Sequence, residues 1–273
     1  MTASDVSAEV REVGPVHDGA PAGPGVFARW LRRIAVVGAV LVAAEVFIRW
    51  FAVPPYILPS PVRVVQAGYA QAGFLLTQTA VTAAEIGLGL LAGAGFGALT
   101  ALLMALSPAI LRTLRPVMVV SQALPVFAIA PLLVIWFGFG LASKIVMAGL
   151  IIYFPVAAAF LDGLRRTDPA LVDFGRLHGA SRLQMLRLIR VPWALPYLAT
   201  GLKVAATVAP IGAVVGEWVG SSAGLGFVML HANARMQTDL MFAALALLAV
   251  LALAVRGLVD VLLRRLVPWQ ADA

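Results

Sequence analysis

The 273-residue sequence contains no cysteine, so neither a disulfide framework nor a thiolate metal site belongs to it. Its three histidines, His17, His178 and His231, stand too far apart in sequence to point to a metal cluster. Lysine is nearly as scarce. Neither Lys144 nor Lys203 follows a glycine or precedes Ser or Thr, so a G-x-x-x-x-G-K-[ST] phosphate loop is missing. An H-E-x-x-H helix is missing as well. No catalytic machinery, cofactor or metal is expected.

Charge is sparse too. Asp, Glu, Lys and Arg make up 12% of the residues against 62% hydrophobic, and the mean hydropathy is +0.96. A soluble domain carries about 25% charge, so the chain reads as an all-α, polytopic membrane protein. The net charge of +7 could fit a nucleic-acid partner. The basic residues, however, lie in short clusters at the ends of apolar runs, as membrane orientation demands, and lipid rather than nucleic acid is the expected contact.

Six apolar runs are present, at residues 34–53, 79–106, 117–137, 145–161, 194–216 and 240–263. Each approaches the ~17–25 residues of a spanning helix, so six transmembrane helices are expected within a domain covering 29–273. If the runs alternate in direction, Arg29, Arg32, Arg33, Arg112, Arg115, Arg264, Arg265 and the arginines between 165 and 190 fall on one side. Arg49, Arg63, Lys144 and Arg235 fall on the other. The positive-inside rule then makes both termini and the 165–193 loop cytoplasmic. Residues 1–28 are polar and rich in Gly, Pro, Ala and Val, and are expected to form a disordered cytoplasmic tail ahead of an uncleaved first span.

Gly89, Gly93 and Gly97 repeat every four residues and offer a smooth face to another helix, within one bundle or across a dimer seam. Pro125 and Pro131 should each kink the third span. Carbonyls freed in lipid need a neighbour or a wet cavity, which makes Ser121, Gln122 and Pro125 candidates for pathway lining, an internally satisfied kink being the alternative. The proline-rich connector at 53–64 should lie at the outer interface, anchored by Tyr56. Glu45 and Arg49, four apart, neutralise each other, and Arg256 and Asp260 do the same at the inner boundary. Glu85 has no such local partner, leaving a cross-helix pair or a cavity position open. Lys203 lies close enough to the cytoplasmic end to snorkel. Glu217, at the outer mouth beside the Gly/Ser-rich turn 218–226, is a pathway candidate together with Ser221 and Ser222, a solvated interfacial carboxylate being the plain alternative. Residues 227–239 read as an interfacial segment near the outer entrance.

The one long charged interruption is the stretch from Asp168 to Pro192. Asp168 is a helix N-cap with Pro169 at the first helical position. Ala170, Leu171, Phe174 and Leu177 recur at helical spacing, and Gly179 supplies a turn. Ser181 with Gln184 then forms a capping box for a second helix, which Pro192 is expected to end.

At these residues the chain resembles a known family. The EAA loop of ABC-importer permeases reads EAA, three residues, Gly, nine residues, Ile, one residue, Leu-Pro. Asp173-Phe174-Gly175, Gly179, Ile189 and Val191-Pro192 stand at that spacing, with Asp keeping the charge of Glu while Phe174 and Gly175 replace two alanines. The likeness runs over about residues 55–268, through Ser121 to Gly140, GLKVAATVAPIGAVVGEWVG and SSAGLG. It is similar to the permeases of the nitrate, sulfonate and taurine importer group. Within that group it looks closest to those for thiamine pyrimidine precursors, through GEWVGSSAGLGFVMLHANARMQTDLMFAAL. The resemblance implies a type I importer permease fold in the bacterial inner membrane, a homodimer of permeases, a dimer of cytoplasmic ABC ATPases and an extracytoplasmic solute-binding protein. It implies a hydroxymethylpyrimidine or formylamino-pyrimidine as solute, with a sulfonate, taurine, nitrate or other small solute as the alternative. It also implies that Asp173, Phe174, Gly175, Arg176, Gly179, Ile189 and Pro192 couple the permease to its ATPase. Two other classes stay open: an ion-coupled secondary transporter, for which Glu85, Lys203 and Glu217 are the available charges, and a receptor-like membrane protein.

Overall fold

The computed structural model describes residues 26–268, the side chains of 26–30, 33 and 34 excepted. The expected tail therefore lies outside the described residues up to 25, and its last three residues are already helical. The chain is all-helical among the described residues and divides at Phe51.

The first unit holds α1, Val26–Trp50. Its 25 residues reach about 37 Å at 1.5 Å per residue, enough for the first apolar run. Near its end Arg49 Nε donates to Glu45 Oε1 at 2.7 Å, the expected i,i+4 pair, and Phe47 packs on Phe51 with ring centroids 4.7 Å apart.

The second unit begins with α2 (Pro61–Ala70), capped by the Ser60 side chain, and α3 (Ala72–Leu106). The third apolar run gives two elements, α4 (Pro108–Ala123) and α5 (Val126–Phe137), and is followed by α6 (Leu141–Arg165). Next come α7 (Pro169–Leu177), the single turn α8 (Arg182–Gln184) and a π-helical stretch Met185–Arg190. α9 (Val191–Gly220), α10 (Leu225–Ala234) and α11 (Thr238–Leu266) complete the chain.

Among the described residues four helices are long and apolar enough to cross a membrane: Ala72–Leu106, Leu141–Arg165, the continuous Arg182–Gly220 and Thr238–Leu266. The α4–α5 pair makes a fifth if counted as one broken span. The third run is thus not the kinked helix expected from its prolines. α4 and α5 meet at 103°. Pro125 has no N–H to extend α4, and it holds Leu124 in an extended conformation (φ −76°, ψ 123°), so the chain turns a corner. Pro192 is the opposite case, since it does not end the second loop helix. The wide π turn, in which the Val191 N–H bonds Leu186 O five residues back, makes room for the proline ring, and the helix runs on through α9.

α3, α6 and α9 form the centre of this unit. Gly93 and Gly97 let α3 lie directly on α6: a Cβ on Gly93 would come within 2.8 Å of both Gly149 O and Ile152 Cβ, and one on Gly97 within 2.9 Å of Tyr153 O. The glycine repeat is therefore spent inside the bundle. Ile86, Ala148, Ile152 and Val156 meet Ala205, Ala209 and Ala213 in a core of mostly small side chains, the packing that suits helices with no hydrophobic drive toward one another in lipid. Large apolar residues such as Leu91, Ile135, Trp136 and Leu253 point outward, the inverse of a water-soluble protein.

Packing assigns the ends. The C-terminus of α3, α7 and the π stretch share one end, where Leu186 joins Met104 and Leu164 in a core and Leu263 of α11 packs on Ala199. α2, α10 and the start of α11 share the opposite end. There Arg63 Nη2 reaches Asp239 Oδ2 at 2.8 Å and the Thr238 hydroxyl donates to Pro55 O at 2.7 Å.

Candidate functional site

Two assemblies of candidate residues stand out, one at each end. At the loop end α7 starts where expected: the Asp168 side chain accepts from Ala170 N at 2.8 Å, behind Pro169 at the first position. It ends at Gly179, whose φ of +71° only glycine adopts freely, with Gly179 N donating to Arg176 O and Ala180 N to Gly175 O. Ser181 and Gln184 make both bonds of the capping box, at 2.8 and 3.3 Å. The rim pair Arg176–Asp173 closes at 3.0 Å in solvent.

α7 turns its small side toward the protein. Gly175 is buried against Met185 and Ile189, so close that a Cβ would come 2.7 Å from each side-chain tip. The larger residues face away: Leu171 is exposed, Phe174 is 59% exposed and Leu177 86%. The result is an apolar stripe without an intramolecular cover, on a helix seated against the π stretch that leads into α9. Beside it, Leu171, Leu188, Ile189, Pro192, Trp193, Pro196 and Tyr197 line an apolar groove of about 520 Å³. Trp193 Nε1 donates to Arg166 O at 3.1 Å and ties the start of α9 to the end of α6. The residues matched to the coupling loop thus come together.

The pathway candidates do not gather in one site. Ser121 donates to Met118 O at 2.7 Å, while Gln122 and Pro125 are exposed at the α4–α5 corner. Ser222 is exposed in the turn after α9, whereas Ser221 is engaged by Lys144. Glu217 is not a solvated carboxylate: it is buried, and it holds the start of α10. Its Oε2 accepts from Gly226 N and from Phe227 N, the latter at 3.3 Å, and its Oε1 accepts from the Thr82 hydroxyl at 2.6 Å. Thr82 Oγ1 in turn accepts from Leu225 N at 2.8 Å, and Gln78 Oε1 accepts from Gly224 N at 2.6 Å. The exposed N–H groups of a helix start are thereby all met by side chains of α3 and α9. Gly224, at φ +108°, and Gly226 are glycines because the Glu217 carboxylate lies on their backbone.

Lys144, in the first turn of α6, is buried: its Nζ donates to Glu85 Oε1 at 2.7 Å and to Ser221 Oγ at 2.6 Å. Glu85 therefore has its cross-helix partner, 59 residues away in sequence. Lys203, half exposed, lies 4.0 Å from Asp260, which Arg256 also contacts at 3.2 Å. Sequence reasoning missed Lys144, Thr82, Gln78 and Gly226. The available signal was a pair of opposite charges without a local partner, Glu85 inside the second apolar run and Lys144 directly before the fourth. The stretch from Gly220 to Gly224 also has G-x-S-x-G spacing, but it joins two helices rather than a strand and a helix, so it is not a nucleophile elbow.

An all-helical bundle with outward-facing apolar residues, its buried charges held in pairs and networks among the described residues, defines a class: a polytopic membrane protein. The chain belongs to the family of binding-protein-dependent transport system inner membrane components, matched over residues 86–268. It is the permease subunit of an ABC importer. Over 239 residues it is 52% identical to a "Probable ABC transporter permease protein" of Haemophilus influenzae, covering 88% of this chain and 98% of that one. The formylaminopyrimidine transport permease protein ThiX of Halalkalibacterium halodurans is 33% identical, over 79% and 87% of the two chains. The taurine transport system permease protein TauC of Escherichia coli is also 33% identical, over 81% and 82%. A solved structure of an amino acid ABC transporter with histidines shares the fold, with a TM-score of 0.60 at 17% identity over 72% of this chain and 96% of that one.

Proposed function

We propose that this permease works as a homodimer in a bacterial inner membrane, with the α7–α8 loop on the cytoplasmic side gripped by a separate ABC ATPase dimer and the α2–α10 end facing a solute-binding protein. The observation that carries the reading is the uncovered stripe Leu171, Phe174 and Leu177 on a helix whose opposite side is locked to Met185 and Ile189. Burying two such side chains in a partner groove contributes about 1.5–3 kcal/mol each, enough to make a short helix a handle. Movement of α7 passes through Gly175 into the π stretch and α9 without an intervening flexible joint. Asp173 and Arg176 supply rim contacts. The arginines Arg112, Arg115, Arg182, Arg187, Arg190, Arg264 and Arg265 lie on elements of the loop end, which supports the cytoplasmic orientation.

For the solute, a thiamine pyrimidine precursor such as hydroxymethylpyrimidine or a formylamino-pyrimidine is the reading favoured by the ThiX likeness; the comparable TauC identity keeps a sulfonate such as taurine as the second. Phe174→Asp, in the permease reconstituted with its ATPase and binding protein, should abolish uptake while the complex of permease and binding protein still forms. Normal uptake in that variant rejects the docking of α7. Competition of labelled hydroxymethylpyrimidine uptake by unlabelled taurine or formylaminopyrimidine separates the two solute readings.

A further inference from the structure

Where α7 leans on the bundle, one arginine is left without an acceptor. Arg190 ends the π stretch and is partly buried; its Nε is shut off from solvent and makes no hydrogen bond. No salt bridge among the described residues involves it. Two cavities of about 390 and 400 Å³ flank this side chain, and Val172, Arg176 and Arg190 line both. The first is closed by Leu106 at the end of α3 and Pro108 at the start of α4, takes Arg182 as a third arginine, and has no acid in its wall among the described residues. The second adds Arg165 and a single acid, Asp173, which Arg176 already holds at 3.0 Å.

The charges around the first cavity therefore act with one sign. Guanidinium groups that share a cavity repel one another, and a buried donor without an acceptor carries the full cost of its desolvation. The helix end in the wall adds to this. Ser107, ahead of Pro108, makes no side-chain capping bond, so the 16-residue α4 begins with its partial positive charge uncompensated by its own cap. An anion answers all of these groups at once. Position then selects its class: the cavity lies at the ends of the long apolar helices α3 and α9, and Leu183, Leu188 and Trp193 are exposed on the helix that carries Arg182 and Arg190. That is the depth of lipid headgroups, where basic pockets between spans take phosphate.

We propose that the cavity between α7, the α3–α4 corner and the π stretch binds a phosphate group, held by Arg176, Arg182, Arg190 and the start of α4, and supplied by an anionic phospholipid or by free inorganic phosphate. Membrane depth favours the lipid. A phosphate there gives Arg190 Nε an acceptor and ties α7 both to the corner and to the helix that continues into α9. The site is separate from the docking of α7 on an ATPase and does not depend on it. Val172 and Arg176 share the side of α7 that buries Gly175, away from the stripe of Leu171, Phe174 and Leu177.

The experiment is thermal unfolding of the purified full-length permease in detergent at fixed ionic strength, with phosphatidylglycerol, phosphatidylcholine or inorganic phosphate added in turn. Phosphatidylglycerol should raise the midpoint saturably and phosphatidylcholine should not. Arg190→Met, which keeps the apolar stem, and Arg182→Gln, at an exposed position, should each raise the half-saturating concentration about tenfold or more. Arg187→Met removes the same charge from the same π stretch but lines neither cavity, and should change it less than about twofold. Stabilisation by phosphatidylglycerol alone assigns the phosphate to lipid, and stabilisation by inorganic phosphate, weakened in the same two variants, assigns it to a free ion; either supports the site. If Arg190→Met does not fold, the wild type and Arg182→Gln decide the matter. No stabilisation by either anion, an equal effect of phosphatidylcholine, or an equal loss in Arg187→Met overturns the proposal.

Discussion

Thr82 is the residue on which the anchoring of α10 turns, and Thr82→Val tests it with little change of shape. Its hydroxyl donates to Glu217 at 2.6 Å and accepts from Leu225 N at 2.8 Å, and both Thr82 and Leu225 are fully buried. Valine fills nearly the same volume, so no cavity term enters. What is lost is a charge-assisted hydrogen bond, about 1.5–3 kcal/mol, and an acceptor for a buried N–H, about 1–3 kcal/mol. The combined effect should be about 3–5 kcal/mol, felt first as local opening of α10 rather than global unfolding. At about 1.4 kcal/mol per decade, the amides of Leu225 and Gly226 should exchange with solvent roughly two to three and a half decades faster than in the wild type. Hydrogen exchange read by mass spectrometry on a peptide covering 221–230 measures this directly. Exchange within threefold of the wild type would show that Leu225, Val228 and Ala232, packed against Leu75 and Leu240, hold α10 without the polar cluster, and the reasoning would fail.

Other substitutions probe the remaining joints. Gly93→Leu should prevent folding, because its Cβ would sit 2.8 Å from Ile152 Cβ, whereas Gly87→Ala, with nothing within 4 Å, should be neutral or stabilising by up to about 1 kcal/mol; yield of monodisperse protein separates them. Gly175→Leu should displace α7 from Met185 and Ile189 and leave the bundle intact, so ATPase stimulation and uptake fall while thermal stability is kept. Arg63→Ala, which breaks a half-exposed pair with Asp239, should change stability by less than about 1 kcal/mol, and by less still at high salt in a thermal melt.

Much of the fold is legible in the sequence because lipid imposes simple rules. Apolar runs at 79–106, 145–161, 194–216 and 240–263 each lie within a long helix, since every backbone group in a bilayer must be paired within its own element. The loop was readable for a different reason: caps are local. Asp168, Pro169, Gly179, Ser181 and Gln184 act over a few residues, and the structure keeps each role. The misreadings are also local in origin. Pro125 and Pro192 present the same chemistry, a missing N–H and a bulky ring, yet one turns the chain through 103° and the other is absorbed by a π turn. The difference lies in the residues around them and not in proline itself, since α5 is drawn onto α6 and α9 through Ala130, Leu133 and Met147 whereas Val191 already continues a packed helix.

The polar cluster was hidden because its members come from four elements and none is unusual alone. Glu217 looked like a boundary carboxylate because a Gly/Ser-rich turn follows it, and irregular backbone is tolerated at membrane depth only where protein covers it or it lines a wet cavity. Here the glycines have another cause. Gly224 and Gly226 leave the backbone bare so that a carboxylate nine residues away from Gly226 can lie on its N–H. The sequence G-E-W followed by S-S-A-G-L-G is thus one device: an acid, a turn that brings α10 back beneath it, and two positions where any side chain would collide with it. Lys144 and Glu85 stand beside it as a buried pair on α6 and α3, both of which α9 packs against, and Lys144 reaches the same turn through Ser221. A charge that looks unpaired within an apolar run is therefore better sought against a neighbouring helix than against its own, as Glu85 of α3 meets Lys144 of α6.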